Sequence, residues 1–243
     1  MAKLIVNADD FGYCKSVNEA IISAHKNGVV TSCTIMTGMP GFEEGVKLLQ
    51  ENPTLDCGVH MTLTCYKPVL NTHKTIVDEN GYFYRRMSQE ILDQIDIEEV
   101  YEEFCAQIDR AIAYGIKISH LDSHHHVHTM PLLKDVIKRI TDKYRLPIRG
   151  GFKEDMDLNV KIIPLIGTFY KDKVAVDFFE KNINIDDYEI MDMMCHPGFV
   201  SDFLKESTSY CNEREIEHSI LTSKEFKESI KNLNMTLTNY KKL

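Results

Sequence analysis

Short apolar runs rich in β-branched residues alternate with stretches of helical periodicity along this 243-residue chain. That alternation constrains the fold more than any other feature, because it is the pattern of right-handed βαβ units on a parallel sheet. Residues 3–8 (KLIVNA) read as a buried strand that stops at Asp9-Asp10 and Gly12. Ser16 then opens a helix with Glu19 as its capping-box partner, a stripe of Val17, Ala20, Ile21 and Ala24, and a stop at Gly28. Residues 30–36 read as a second strand, and a helix from Gly41 carries Phe42, Val46 and Leu49 on one face and ends before Pro53. Residues 55–60 read as a third strand, ending on His60.

The second half repeats the pattern less cleanly. Residues 64–87 hold Pro68, Gly81 and Arg85-Arg86 without periodicity, and read as a long loop over the site. The clearest helix spans 97–114, with Val100, Phe104, Ile108, Ala111 and Ile112 at helical spacing and Gly115 after it. Strands follow at 116–123 and 146–149, separated by a helix that Pro131 opens and that runs to about Tyr144. Residues 174–177 read as a strand, 178–184 as a short helix and 190–195 as a buried strand ending at His196-Pro197-Gly198. Ser223 caps a last helix carrying Phe226 and Ile230. Six or seven units result, short of the eight of a full (β/α) barrel. The expectation is therefore an α/β fold, an incomplete (β/α) barrel of about seven parallel strands, in one domain over 1–243 with no linker or repeat.

In such folds sites gather at the carboxyl ends of the strands. The predicted ends carry Asp9 and Asp10, His60, the run from His120 to His128, Arg149 and His196. Adjacent carboxylates on a strand diverge, so one can bind a metal while the other stays free as a base; a turn acid beside a capping acid is the plainer alternative. Five histidines and an acid fall within the nine residues His120-Leu-Asp-Ser-His-His-His-Val-His128. In an extended backbone His120, Asp122 and His124 share a face, with His124 at the strand end where a ligand belongs. Asp122, His126 and His128 are expected to support and orient ligands. An Asp-His-His set leaves coordination positions open, the mark of a catalytic metal. The free aspartate would take a proton from water, His196 would protonate a leaving amine, and Arg149 would keep the basic aspartate ionised. Cys195, beside His196, should point to the opposite face and pack in the core.

Composition narrows the class further. Hydrophobic residues at 43% allow a real core, and a net charge of −9 gives no general help in binding nucleic acid or an anionic membrane. The seven cysteines are odd in number and form no C-x-x-C; reduced thiols are the simplest account. The apolar start, Leu4 to Val6, is cut short by Asn7 and the two aspartates, so no signal peptide is read and a cytoplasmic location is expected.

Four motifs together resemble one family. Asn7-Ala-Asp-Asp-Phe-Gly12, Gly58-Val-His60 followed by Thr62-Leu-Thr64, His120-Leu-Asp-Ser-His-His-His-Val-His128 and Cys195-His-Pro-Gly-Phe199 occur in the order found in the YdjC-like carbohydrate deacetylases, a branch of the polysaccharide-deacetylase superfamily. The resemblance implies an incomplete (β/α) barrel and hydrolysis of acetyl groups from amino sugars such as chitooligosaccharides, some of them phosphorylated. It makes Asp9 the base, Asp10, His60 and His124 the metal ligands, and His196 the group near the leaving amine. It also implies magnesium and a homodimer. Two imidazoles suit zinc better than magnesium, so both metals stand as expectations. Arg85 and Arg86 read as solvated surface, with a sugar phosphate as the alternative. A metal-dependent phosphoesterase is the competing enzyme class, since it uses the same ligand types but more often with two metals. A non-enzymatic metal or sugar binder would need no free base at Asp9.

Overall fold

The computed structural model describes residues 2–243, among which nine strands and nine α-helices are found, and strands alternate with helices as expected from β1 to β5. The first half contains β1 (Lys3–Phe11), α1 (Lys15–Asn27), β2 (Ser32–Ile35), α2 (Phe42–Glu51), β3 (Asp56–Met61), α3 (Gln89–Leu92) and α4 (Ile97–Ala113). The second half contains β4 (Ile118–Ser123), α5 (Lys134–Tyr144), β5 (Ile148–Arg149), β6 (Ile162–Ile163), β7 (Leu165–Ile166), α6 (Phe178–Asn182), β8 (Ile190–Cys195), α7 (Asp202–Ser207), α8 (Asn212–Thr222), α9 (Lys224–Asn232) and β9 (Thr236–Leu237). The strands pair in the order β6-β5-β4-β3-β2-β1-β8-β7, every neighbour parallel, with β9 added beside the start of β1. The ring is a nearly closed parallel barrel. Residues 162–166 form its last stave in two pieces: Ile162 and Ile163 pair with β5, while Leu165 and Ile166 pair with β8. Pro164 separates the pieces because it has no N–H to give, and its carbonyl accepts instead from Asp192 N at 2.8 Å. Eight strands thus occupy about the seven positions that the sequence suggests.

Period-two alternation sorts each strand into an outer apolar face and an inner face that is mostly polar. Leu4, Val6 and Ala8 of β1, Cys33 and Ile35 of β2, and Met191, Met193 and Cys195 of β8 pack in one core with the helices on that side. Val59, Met61, Leu121 and Ile148 pack in a second core with α4 and α5. The alternate residues Asn7, Asp9, Ser32, Thr34, His60, His120, Asp122, Arg149 and Asp192 are buried as well, on the opposite faces of the same strands. Gly58 belongs to that inner layer because a Cβ there would lie 2.6 Å from the His120 ring and from the His120 carbonyl oxygen.

Three local expectations fail for identifiable reasons. β1 runs three residues farther than predicted, through both aspartates. α1 begins at Lys15, so Ser16 lies inside the helix and its hydroxyl meets Ser201 at 2.9 Å instead of closing a capping box with Glu19. Asn18 ties this end down, accepting from Gly12 N at 2.6 Å and donating to the Gly41 carbonyl at 2.9 Å. Residues 174–177 form no strand; the stave lies earlier, at 162–166, in pieces too short to show a period. The loop over 64–87 is as expected, with only the bridge between Val77 and Phe83 inside it among the described residues.

Candidate active site

Asp10, His60 and His124 meet at the carboxyl ends of β1, β3 and β4, each offering one ligand atom, and these atoms all lie within 4.8 Å of one another. Asp10 Oδ1 is 2.9 Å from His124 Nδ1 and 3.4 Å from His60 Nε2. Asp10 reaches this position by turning its backbone left-handed, with φ at 67°, which swings its carboxylate away from that of Asp9. Two imidazoles and one carboxylate oxygen at this spacing suit a divalent cation with open positions. The surroundings suit one too. Burial alone would push the His60 ring toward neutrality, yet Asp122 and Asp10 raise its pKa to about 10. A cavity that holds a proton so firmly has the negative charge that attracts a metal.

The other nitrogen of His60 fixes the ring. Nδ1 lies 2.7 Å from Asp122 Oδ1, so Nε2 is the atom turned toward Asp10. Thr34 donates its hydroxyl to Asp122 Oδ2 at 3.0 Å. Arg149, fully buried, sits behind this layer and grips Asp9 with two parallel bonds of 2.7 and 2.8 Å. Its Nη1 also lies 2.8 Å from Asp122 Oδ2, and its Nε donates to Asp192 Oδ2 at 2.8 Å. Asp9, His60 and Asp122 form a second cluster with metal-like spacing, but the guanidinium already occupies its two carboxylates, leaving one cation position. Burial pushes the Asp9 carboxyl up; the guanidinium of Arg149 more than offsets this, and the net direction is down. Asp9 is thus held as an anion.

His196 faces Asp9 from the end of β8, with Nε2 3.9 Å from Asp9 Oδ2. Burial lowers its affinity for a proton, but Glu217 and the two aspartates more than offset this, so the net direction is up. Glu217, on α8, accepts from the His196 backbone N–H and has Oε1 3.8 Å from His196 Nδ1. The same helix delivers Arg214, whose Nη2 donates to Asp10 Oδ2 at 2.6 Å. Tyr240, beside β9, donates to Asp192 Oδ2 at 2.6 Å and stacks on His120 with ring centres 3.6 Å apart.

The structure therefore brings together Asp9, Asp10, His60, His124, Asp122, Arg149 and His196. It separates the rest of the histidine run. Backbone φ values of 54° and 53° at His125 and His126 turn the chain away after His124. His126 lines the cavity above the site without touching the three ligand atoms. His128 points the other way, lying 2.5 Å from Ser123 Oγ and 3.2 Å from the Arg149 carbonyl, so it braces the strand that carries Arg149. Arg214, Glu217, Asp192 and Tyr240 were not foreseen. Asp192 had a readable signal, an acid inside the apolar run IMDMMC; the other three lie in segments with no distinguishing pattern.

Above these residues opens a cavity of about 1390 Å³. Its floor is Asp9, Asp10, His60, His124 and His196, and its walls come from the 64–87 loop and from residues 203–210. The loop is tied to α4 by hydrogen bonds, and its Ile76, Val77 and Phe83 pack in the core shared with β3 and β4. Glu103 accepts from Val69 N, Leu70 N and Gln107 Nε2 and lies 3.0 Å from His73 Nε2, Glu99 accepts from Lys74 N and Thr75 N, and Gln107 binds both backbone groups of Thr62.

The family model described as YdjC-like protein matches residues 3–232. A carbohydrate deacetylase of Brevibacillus brevis is 39% identical over 249 residues, covering 99% of this chain and 99% of that one. Among solved structures, a candidate cellobiose-phosphate cleavage protein from Enterococcus faecalis superposes with a TM-score of 0.91 at 36% identity, covering 99% of this chain and 98% of that one. A family 4 carbohydrate esterase from Streptomyces lividans, solved with acetate, shares the fold, with a TM-score of 0.54 at 9% identity over 98% of this chain and 92% of its own.

Proposed function

Because this chain belongs to the YdjC-like protein family, we propose that it is a carbohydrate deacetylase that hydrolyses the N-acetyl group of an amino sugar or short chitooligosaccharide in a metal-dependent reaction. One observation carries the reading: a buried anionic aspartate, Asp9, stands free of the three-ligand cluster next to it, and His196 faces it across the cavity floor. A sugar- or metal-binding protein would have no use for that unliganded base. Asp10, His60 and His124 would hold a divalent cation, which would supply polarisation of the acetyl carbonyl and a lowered pKa for water. Asp9 takes the proton from the attacking water, and Arg149 keeps its carboxylate ionised and aimed. The water oxygen adds to the carbonyl carbon and the C–N bond breaks. His196, whose hold on a proton Glu217 strengthens, gives that proton to the leaving amine, releasing acetate and the free amino sugar.

The finer parts of the reading have their own supports. Magnesium comes with the family resemblance, whereas two imidazole ligands favour zinc. Arg85, Arg86 and Lys205 line the cavity, which favours a phosphorylated sugar among the substrates. The activity is assigned to one domain over 1–243. Its seven cysteines are all unpaired, which agrees with a cytoplasmic enzyme, and no helix among the described residues is long and apolar enough to cross a membrane. A homodimer is part of the reading by resemblance.

The deciding experiment is acetate release from a panel containing N-acetylglucosamine, diacetylchitobiose and diacetylchitobiose phosphate, using chelated enzyme restored with magnesium or zinc. Metal-dependent release is expected from at least one sugar. No release from any of them, with metal verified in the protein, would overturn the deacetylase reading and send the search to phosphoester substrates.

A further inference from the structure

The barrel is also filled from the end opposite the cavity. Residues 236–243 return from α9 to the amino ends of the strands, where Thr236 N donates to the Ala2 carbonyl and Thr238 N to the Leu4 carbonyl, each at 2.9 Å. Asp56, the buried first residue of β3, fastens the next turn: Oδ2 accepts from Lys241 N at 2.9 Å, and Oδ1 lies 2.8 Å from Lys241 Nζ. Between these fastenings Tyr240 is buried against Ile5 and Ile163, its ring stacked on His120 with the planes 4° apart.

A buried tyrosine hydroxyl needs a partner, and a backbone carbonyl would serve. Tyr240 instead donates to Asp192 Oδ2, the oxygen that also accepts from Arg149 Nε. Asp192 Oδ1 has no partner among the described residues, so one oxygen of this carboxylate carries both bonds. Contacts therefore run without a break from the Tyr240 hydroxyl to Asp192 at 2.6 Å, to Arg149 at 2.8 Å, and to Asp9 at 2.7 and 2.8 Å. A guanidinium is planar and rigid, so the bond at its Nε edge sets where its two Nη groups point. Direction matters here because two acids face the fork. Nη1 lies 2.7 Å from Asp9 Oδ2 and 2.8 Å from Asp122 Oδ2, and a small rotation would exchange a bond to Asp9 for one to Asp122.

We propose that Tyr240 is a positioning residue for the base: through Asp192 it holds the Arg149 fork on Asp9 and off Asp122. The proposal rests on the deacetylase reading for the role of Asp9 and extends the machinery to the far end of the barrel. Tyr240 neither lines the cavity nor belongs to the cluster of ligand atoms, so its influence on the reaction passes through the aim of one carboxylate. Misplacing a catalytic group by 1 Å costs about 100-fold in rate.

The test is Tyr240→Phe, which keeps the ring on His120 and removes only the hydroxyl. In the full chain with its divalent metal restored, metal content and KM should be unchanged while kcat for acetate release falls about tenfold. In an Asp9→Asn background the same substitution should leave the residual rate unchanged, because the base that it aims is already gone. A tyrosine that merely supports the fold would slow both backgrounds alike. The crystal structure of Tyr240→Phe should show one of the two Arg149–Asp9 bonds broken and Nη1 turned to Asp122. Full kcat in Tyr240→Phe, an equal loss in the Asp9→Asn background, or a variant structure that keeps both bonds would overturn the positioning role. A wild-type chain that releases no acetate from any sugar would reject the deacetylase reading instead, and the variant structure would then decide by itself whether Tyr240 aims Asp9.

Discussion

Arg214 ties down the outer oxygen of Asp10: its Nη2 donates to Oδ2 at 2.6 Å, while Oδ1 of the same carboxylate faces His124 and His60. A carboxylate so engaged can give a metal only one oxygen, which preserves the open positions that a catalytic centre needs. Arg214→Gln should therefore keep one metal per chain by elemental analysis but lower acetate release by about 10- to 100-fold. In the cobalt-substituted variant the visible absorption should weaken, because a second carboxylate oxygen raises the coordination number. An unchanged cobalt spectrum together with full activity would show that Arg214 leaves the geometry of Asp10 alone.

Asp9 and His124 should separate cleanly by mutation. Asp9→Asn removes the base but no ligand, so metal content should persist while kcat falls by about 100-fold or more. His124→Ala removes a ligand, so metal and activity should be lost together. Substantial turnover by Asp9→Asn would reassign the base.

Acid should weaken the fold earlier than carboxylates alone would cause. His120 and His128 are buried, and burial lowers each pKa from 6.5 to about 3. The folded state thus keeps the neutral rings, and the stability they contribute is complete above about pH 6.5 and declines as pH falls toward 3, since the unfolded chain takes up protons that the fold refuses. His60 works in the opposite sense in the metal-free chain: raised to about 10, its contribution is complete below about pH 6.5 and fades as pH climbs toward 10. Denaturant midpoints measured from pH 8 to pH 4 should begin to drop near pH 6.5, and His120→Phe, which retains the ring on Tyr240, should flatten that slope. A midpoint that is flat down to pH 4.5 would contradict this account.

Glu103 is the central fastening of the covering loop. Its buried carboxylate accepts two backbone N–H groups and the Gln107 amide and lies against His73. Glu103→Ala leaves these partners without an acceptor and should cost about 2–4 kcal/mol of stability. Limited proteolysis should then cut within 64–87 before any other segment. Equal protection of the loop in variant and wild type would show that other contacts hold it.

How far the sequence could be read follows from how local each signal is. The aspartate pair, His60, the triple histidine and His196 were legible because each closes an apolar run long enough to show its period, and strand ends converge in this architecture. The grip of Arg149 on Asp9 was legible for the same reason. The interrupted stave at 162–166 was not, because two-residue strands carry no period and Pro164 argues against a strand. Nor were Arg214 and Glu217, whose roles depend on where α8 docks; the spacing of an arginine and a glutamate three residues apart is ordinary for any surface helix. The histidine run overstated its own importance. Only His124 joins the cluster of ligand atoms, and the left-handed turn at His125 and His126 that sends His128 elsewhere has no mark in a row of identical residues.

The fastening of the covering loop separates how the loop is held from what it presents to the cavity. Glu99, Glu103 and Gln107 stand four residues apart, one per turn along a single face of α4, and all three grip backbone groups, at Thr62, Val69, Leu70, Lys74 and Thr75. Main-chain attachment is indifferent to side-chain identity. Residues such as Tyr66, Tyr82, Arg85 and Arg86 can therefore drift without loosening the mount that carries them. The helix thus serves as a rail for the loop: exposed positions on the cavity wall can change while the mount and the strand ends on the cavity floor keep their places.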